Sequence, residues 1–169
     1  RACTTNGNLF RFACDAVKEP VSFFVIGDTH LGIEDSRGEP YRRYSARMSR
    51  YSQKKTDVLE ATIAKAKELK VDFLAHVGDL VSFPAERSVE LAAKALREPG
   101  LDWMYTAGNH DWRYEGMPGE PETLRREWTR KALAPLYPAG ADPLCQERVV
   151  KGVRFLGIDD STNFVTADQ

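Results

Sequence analysis

Three short segments of the sequence carry side chains that can bind metal ions, and each follows directly after an apolar run. They are Gly27-Asp28-Thr29-His30, Gly78-Asp79 and Gly108-Asn109-His110-Asp111. Carboxylate and amide oxygens suit hard divalent cations, and imidazole nitrogens suit iron, zinc or manganese. A mixed set is typical of a hydrolytic centre in which one carboxylate bridges two ions about 3.5–4 Å apart. The sequence therefore predicts that Asp28, His30, Asp79 and Asn109 bind metal.

The positions of these residues also suggest separate roles. Asp79 belongs to the middle segment and is the natural bridging carboxylate. His110 follows Asn109 immediately, so it can overhang the metals and stabilise the transition state or protonate the leaving oxygen. Asp111 is expected to fix the tautomer of His110. The residues expected to contact substrate are Asn109, His110 and Arg113.

The apolar runs before the three segments are typical of strands, over residues 21–26, 71–77 and 101–106. Amphipathic periodicity predicts helices between them, over residues 56–70 and 85–97. Strand, helix and parallel strand form a βαβ unit, whose crossover is right-handed. Adjacent parallel strands end at one edge of the sheet, where open α/β sheets bind their ligands. We therefore predict an α/β fold that brings the three segments together.

The rest of the chain carries fewer chemical signals. The remaining predicted elements are a loop at 4–8, a short edge strand or turn at 9–13, a helix at 121–133 and a hairpin with strands 147–150 and 153–158. Residues 159–169 are polar and complete no predicted element. These patterns divide the chain into an N-terminal extension, 1–20, and one incomplete domain, 21–169.

Composition limits the class of protein. The chain has 169 residues, of which 42% are hydrophobic and 29% charged, as expected of a globular domain. No apolar run approaches the roughly 18 residues of a membrane helix. The net charge of −1 neither supports nor excludes nucleic acid as a partner. Residues 31–55 interleave basic side chains with tyrosines, and two interpretations stay open: a solvated surface segment, or one that contacts phosphate and a base or sugar.

The three cysteines leave the redox environment open. Cys3, Cys14 and Cys145 have no metal-type spacing. A disulfide between Cys3 and Cys14 would indicate an oxidising, extracytoplasmic compartment. The alternative is three free thiols. The start at Arg1 rather than Met suggests a processed or trimmed N-terminus.

The three segments, in this order and at strand ends, resemble the first three signature blocks of the calcineurin-like metallophosphoesterases over roughly residues 21–165. The resemblance implies a four-layer α/β/β/α sandwich, of which this chain supplies the N-terminal part. It also implies a dinuclear Mn, Fe or Zn centre that hydrolyses phosphate mono- or diesters with a metal-bridging hydroxide. By position, Asp28 and His30 would bind the first metal, and Asp79 would bridge. Asn109 would bind the second metal, and His110 would act on the leaving group.

The sequence also departs from this family's pattern. The family's later blocks, a lone His and then Gly-His-x-His, supply further nitrogen ligands. This chain has three histidines, and none follows His110. We expect the missing ligands to come from a C-terminal remainder of a longer or cleaved polypeptide; the alternative is a degenerate relative. His76 precedes Gly78 on a predicted core strand and is expected to be packed rather than to bind metal.

Three more specific interpretations were compared. A purple acid phosphatase would carry Gly and Tyr where this chain has His30 and Ser82, so that branch is disfavoured. The run from Asp28 to Gly32 resembles the opening block of double-strand-break repair nucleases, which makes a DNA nuclease the main alternative. A metal-free binding scaffold is the third. The substrate is not predictable, because the loops that select it are expected partly in residues 31–55.

Overall fold

The computed structural model describes residues 3–6, 9–12, 14–33, 56–83, 85–114, 116–167 and 169. The basic and aromatic segment predicted at 31–55 falls outside the described residues after position 33. Among the described helices, none is both long enough and apolar enough to cross a membrane.

A parallel sheet forms the centre of the fold. Its strands are β3 (Phe23–Ile26), β4 (Phe73–Val77) and β5 (Trp103–Thr106), in the order β3-β4-β5. The predicted strands and their parallel pairing are confirmed, with Ile26 opposite His76 and Val77 opposite Thr106. Each strand begins two residues later than predicted. The three strands end close to the three polar segments.

Two helices cover one face of this sheet, as the periodicity predicted. Helix α1 (Thr56–Glu68) buries Leu59, Ile63 and Ala66, and helix α2 (Glu86–Arg97) buries Val89, Ala92, Ala93 and Leu96. These side chains share one core with Leu74 of β4 and Tyr105 of β5. Helix α1 ends at Glu68 instead of residue 70, and Lys70 beyond it has a left-handed φ of 54°. Such a residue cannot continue a right-handed helix.

A β-hairpin lies on the opposite face of the sheet. Its strands are β6 (Cys145–Val150) and β7 (Val153–Ile158), and β6 begins two residues before the predicted start because Cys145 pairs with Ile158. The Phe155 ring contacts Phe23 and Phe73, with centroids 5.1 and 4.8 Å apart. Phe73 neighbours Leu74 along β4, so the two residues face opposite layers. The helices and the hairpin thus contact opposite faces of the parallel sheet, and the four-layer arrangement stays a prediction.

Two short helices follow β5. Helix α3 (Asn109–Trp112) was not predicted, because a single turn has no periodicity to detect. Helix α4 (Pro121–Arg130) begins at the predicted residue and ends three residues early, before a 3₁₀ turn at Ala134–Leu136.

The N-terminal prediction needs a correction. Strand β1 (Cys3–Asn6) pairs antiparallel with β2 (Leu9–Phe12), so the loop predicted from residue 4 was wrong at residues 4–6. Threonines favour extended backbone, and pairing with β2 satisfies their backbone groups. Cys14 and Cys145 are free thiols, so the disulfide alternative is not formed. The division of the chain at residue 20 stays a prediction.

Candidate metal centre

The segments that follow β3 and β4 run side by side beyond the ends of the strands. The Asp28 amide donates to the Gly78 carbonyl over 3.1 Å, and the His30 amide donates to the Asp79 carbonyl over 2.9 Å. A parallel bridge between Leu31 and Val81 continues this pairing. Backbone bonds therefore hold the first two predicted metal-binding segments against each other.

The backbone of these segments is unusual at the ligand positions. Asp28, His30 and Asp79 have left-handed φ angles of 53°, 47° and 52°. Few non-glycine residues adopt this conformation, although Asp and His tolerate it better than most. Strained backbone of this kind clusters at functional sites.

Three of the predicted ligands converge in space. His30 Nε2 lies 3.6 Å from Asp28 Oδ1 and 3.7 Å from Asp79 Oδ2, and the three ligand atoms all lie within 4.8 Å of one another. Donor atoms bound at about 2.1 Å to one ion lie roughly 3–3.5 Å apart, so this spacing fits a cation after a small adjustment. The Asp28 side chain is 82% exposed and that of Asp79 17%. An ion can therefore reach the cluster from solvent.

Gly108 allows the third segment to approach Asp79 closely. A Cβ atom at position 108 would lie 2.2 Å from Asp79 Oδ1, so a side chain there would clash with the carboxylate. The same oxygen accepts a hydrogen bond from the His110 amide over 3.0 Å. Asp79 thus directs one carboxylate oxygen towards α3 and the other towards His30.

Asn109, the first residue of α3, lies on the wall of a polar cleft. The cleft has a volume of ≈ 470 Å³, and Asp28, Asp79, Asn109 and Arg113 line it. Arg113 is exposed. The structure therefore brings the predicted fourth ligand and one predicted substrate contact to the same edge as the metal cluster.

His110 lies beside the cluster but outside the lining of this cleft. Its ring meets that of His30 edge to face, with centroids 4.9 Å apart. His110 Nδ1 lies 3.3 Å from the Ser82 carbonyl oxygen, which can only accept a hydrogen bond. A proton on Nδ1 therefore leaves Nε2 free to take or give a second proton.

The predicted contact between Asp111 and the His110 ring was wrong. Asp111 is fully buried, and its two oxygens accept from the backbone amides of Val81 over 2.7 Å and Gly108 over 2.8 Å. Burial raises the pKa of Asp111 to about 7, although these two amides lower it. The carboxylate connects the ends of β4 and β5 from beneath the site, and the Ser82 carbonyl is the group that can orient His110.

His76 is packed behind the ligands, as predicted. It is 1% exposed, and burial lowers its pKa to about 3. Its Nε2 lies 3.0 Å from the Thr29 hydroxyl, which donates to the Leu80 carbonyl over 3.1 Å. With its one hydrogen used in this way, the hydroxyl accepts from His76 Nε2–H. Thr29 stands between Asp28 and His30, so His76 supports the ligand segment without belonging to the cluster.

Sequence reasoning missed a further set of cleft-lining residues. They follow directly after β7 and are Asp160, Ser161, Thr162 and Asn163. A polar run directly after an apolar strand is the signal that identified the other three segments, and it is present here as well.

The comparisons with known proteins agree with this geometry. A family model described as calcineurin-like phosphoesterase matches residues 21–162, which is more than half of the chain. No curated protein matches the sequence. The matched range contains the three parallel strands, the metal-competent cluster and the hairpin. The chain belongs to the calcineurin-like phosphoesterase family.

Proposed function

We propose that this protein hydrolyses phosphate mono- or diesters at a dinuclear metal centre. The observation that carries the proposal is the convergence of Asp28, His30 and Asp79 at the carboxyl ends of adjacent parallel strands. The family match supports a metal-dependent phosphoesterase of this general kind. When bound, two metal ions would supply a nucleophilic oxygen and positive charge for the phosphoryl oxygens.

The proposed ligands divide between two positions. Asp28 and His30 would hold one ion, Asn109 would hold the other, and Asp79 would be shared. The two Asp79 oxygens face different neighbours, Oδ2 towards His30 and Oδ1 towards the amide of His110. A carboxylate that reaches both sides of a site in this way is suited to bridging. Mn, Fe and Zn all accept this mixture of oxygen and nitrogen donors.

We assign substrate binding and proton transfer to residues around the cluster. We assign proton donation to the leaving oxygen to His110, with the Ser82 carbonyl holding its Nδ1 proton. Asn109 and the exposed Arg113 guanidinium line the cleft next to the ligands and are placed to bind phosphate oxygens. Asp111 acts as a positioning residue for the Gly108 turn.

The ligand count argues for donors from elsewhere in the polypeptide. The chain contains three histidines, of which His76 is buried away from the cluster and His110 is assigned to proton transfer. One imidazole then remains for two ions. We propose that donors outside this cluster complete the coordination of the two ions.

Hydrolysis assays with Mn²⁺ test this function. The substrates are p-nitrophenyl phosphate, bis(p-nitrophenyl) phosphate and single-stranded DNA, which separates phosphatase from nuclease activity. We expect Asp79→Asn to lower turnover by at least about 100-fold, because it removes the charge from the shared ligand. Asp15→Asn is the matched control, since this exposed carboxylate lies outside the site. Turnover that survives Asp79→Asn would refute the proposal. No metal-dependent turnover of any substrate would also refute it, and would favour the metal-free scaffold.

A further inference from the structure

A chain of buried polar groups connects helix α4 to the site-bearing helix α3. Arg125 on α4 and Asp159 after β7 are both fully buried. Arg125 Nη1 donates to the Asp159 carbonyl over 2.9 Å and lies 3.5 Å from Asp159 Oδ1. Its Nη2 donates to Glu122 Oε1 over 2.7 Å. The guanidinium therefore contacts Asp159 at its carbonyl and carboxylate oxygens and is itself held by Glu122.

Ser161 connects Asp159 to Trp112 by hydrogen bonds. The Ser161 amide and hydroxyl both donate to Asp159 Oδ1, over 2.9 and 2.5 Å. The indole Nε1–H of Trp112 donates to the Ser161 hydroxyl oxygen over 2.8 Å. Because the serine's one hydroxyl hydrogen goes to Asp159, its lone pairs are available to Trp112. Each group thus has a defined donor or acceptor role.

Helix α3 depends on contacts of this kind. It spans four residues, which is one turn and too short to be stable by itself. Its first two residues are Asn109 and His110, and its last is Trp112, which is 1% exposed. Asp111 holds the N-terminal side of the turn. The Trp112 indole is the corresponding anchor at the C-terminal side.

We propose that Ser161 and Asp159 are positioning residues that hold Asn109 and His110 in place through Trp112. This inference rests on the proposed function, in which Asn109 binds metal and His110 transfers a proton. The same serine lines the cleft that Asp79 and Asn109 also line. One hydrogen-bond chain therefore sets the distance between the cleft wall and the site-bearing turn.

Stability alone is a weak explanation for this arrangement. Asp159 Oδ2 and Arg125 Nε have no hydrogen-bond partner among the described residues. Burying a charged pair costs desolvation energy that its attraction often only offsets, and unpaired buried atoms add to the cost. The bonds from Arg125 to Trp112 do restrict geometry, because each hydrogen bond orients the two groups that it joins.

Two substitutions break the same bond from opposite ends. Ser161→Ala removes the acceptor at a partly exposed position, and Trp112→Phe removes the donor while keeping an aromatic ring in the core. Ser161→Thr retains the hydroxyl and tests for rescue. Ser22→Ala is the matched control, because that exposed serine also contacts an aspartate, Asp72, at the opposite end of the sheet.

Amide hydrogen exchange of the whole chain, followed by NMR, measures whether α3 is held. The reporters are the amides of His110, Asp111 and Arg113, which bond to Asp79 Oδ1, the Gly108 carbonyl and the Asn109 carbonyl. We expect Ser161→Ala and Trp112→Phe to speed their exchange roughly three- to tenfold, as loss of one neutral hydrogen bond would. The double variant should be no faster than the faster single variant, and Ser161→Thr and Ser22→Ala should match the wild type.

Wild-type exchange at these amides in both single variants would overturn the inference, as would additive effects in the double variant. Steady-state kinetics with p-nitrophenyl phosphate and Mn²⁺ provide a second criterion. A positioning role predicts that Ser161→Ala lowers kcat with little change in KM. A raised KM at unchanged kcat would instead make Ser161 a substrate contact. If the wild type neither binds Mn²⁺ nor hydrolyses phosphoesters, the proposed function fails, and the exchange rates still decide whether this chain of bonds holds α3.

Discussion

Left-handed backbone conformations, which are strained for residues other than glycine, occur at Asp28, His30 and Asp79. This conformation costs on the order of 1 kcal/mol per residue. The amides of Asp28 and His30 donate across to the β4 segment, and these bonds keep both residues in place. Backbone hydrogen bonds therefore help to hold the three side chains close together.

At the residue scale, substitution of His110 should lower catalysis without affecting metal binding. Replacing it by Ala or Gln removes the proposed proton donor, and general acid catalysis contributes typically 10²–10⁴ in rate. We expect kcat to fall by about 100-fold or more while bound Mn²⁺ per chain is unchanged. Loss of metal together with activity would make His110 a ligand, and full activity would remove it from the mechanism.

Gly108 provides a second residue-scale prediction. Its φ of −98° is ordinary, so Gly108→Ala tests only the steric clash with Asp79. We expect this variant to lose Mn²⁺ binding and about 2 kcal/mol or more of stability, as overpacking does. Gly140→Ala is the contrast, because position 140 has open space but a φ of +79°. It should cost about 1 kcal/mol and leave Mn²⁺ binding intact.

At the element scale, strand β4 joins the sheet to the site. It carries His76, which contacts Thr29 beneath the ligand segment, and it leads directly into Gly78 and Asp79. The sheet neighbours, β3 and β5, deliver the other two segments to the same edge. Helices on one face and the hairpin on the other bury most of the core between these layers.

The buried His76 should make stability depend on pH. Its folded pKa of about 3 lies below the ordinary 6.5, so between these values the unfolded chain binds more protons. Stability therefore falls as pH decreases, by roughly 2 kcal/mol between pH 7 and pH 5 from this residue alone. Urea unfolding of the wild type and His76→Gln at both pH values measures the difference, in which the acidic groups common to both proteins cancel. An equal pH dependence in the two proteins would mean that folding does not lower the pKa of His76.

Sequence reasoning succeeded with elements whose signals are local. An apolar run followed by Gly and a polar residue identifies the ends of β3, β4 and β5 without knowledge of the fold. It failed where a partner lies far along the chain. Asp111 looks like an orienting group for its neighbour His110, yet it bonds to Val81, thirty positions away. The Trp112–Ser161 bond, at a separation of 49, was equally invisible.

At the scale of the whole molecule, the central proposal is that three segments, distant in sequence, form a site that binds metal and hydrolyses phosphoesters. The cluster is open to solvent on the Asp28 side, and the cleft extends from it between α3 and the residues after β7. The fold thus provides a cluster of possible metal ligands, a polar cleft beside it and buried supporting groups beneath them.

The most direct test is the amount of Mn²⁺ retained per chain after equilibration and desalting, in the wild type and in Asp79→Asn. We predict that the wild type retains at least one ion per chain and that Asp79→Asn retains almost none. Equal retention in the two proteins, or none in the wild type, would contradict a metal centre built on Asp28, His30 and Asp79.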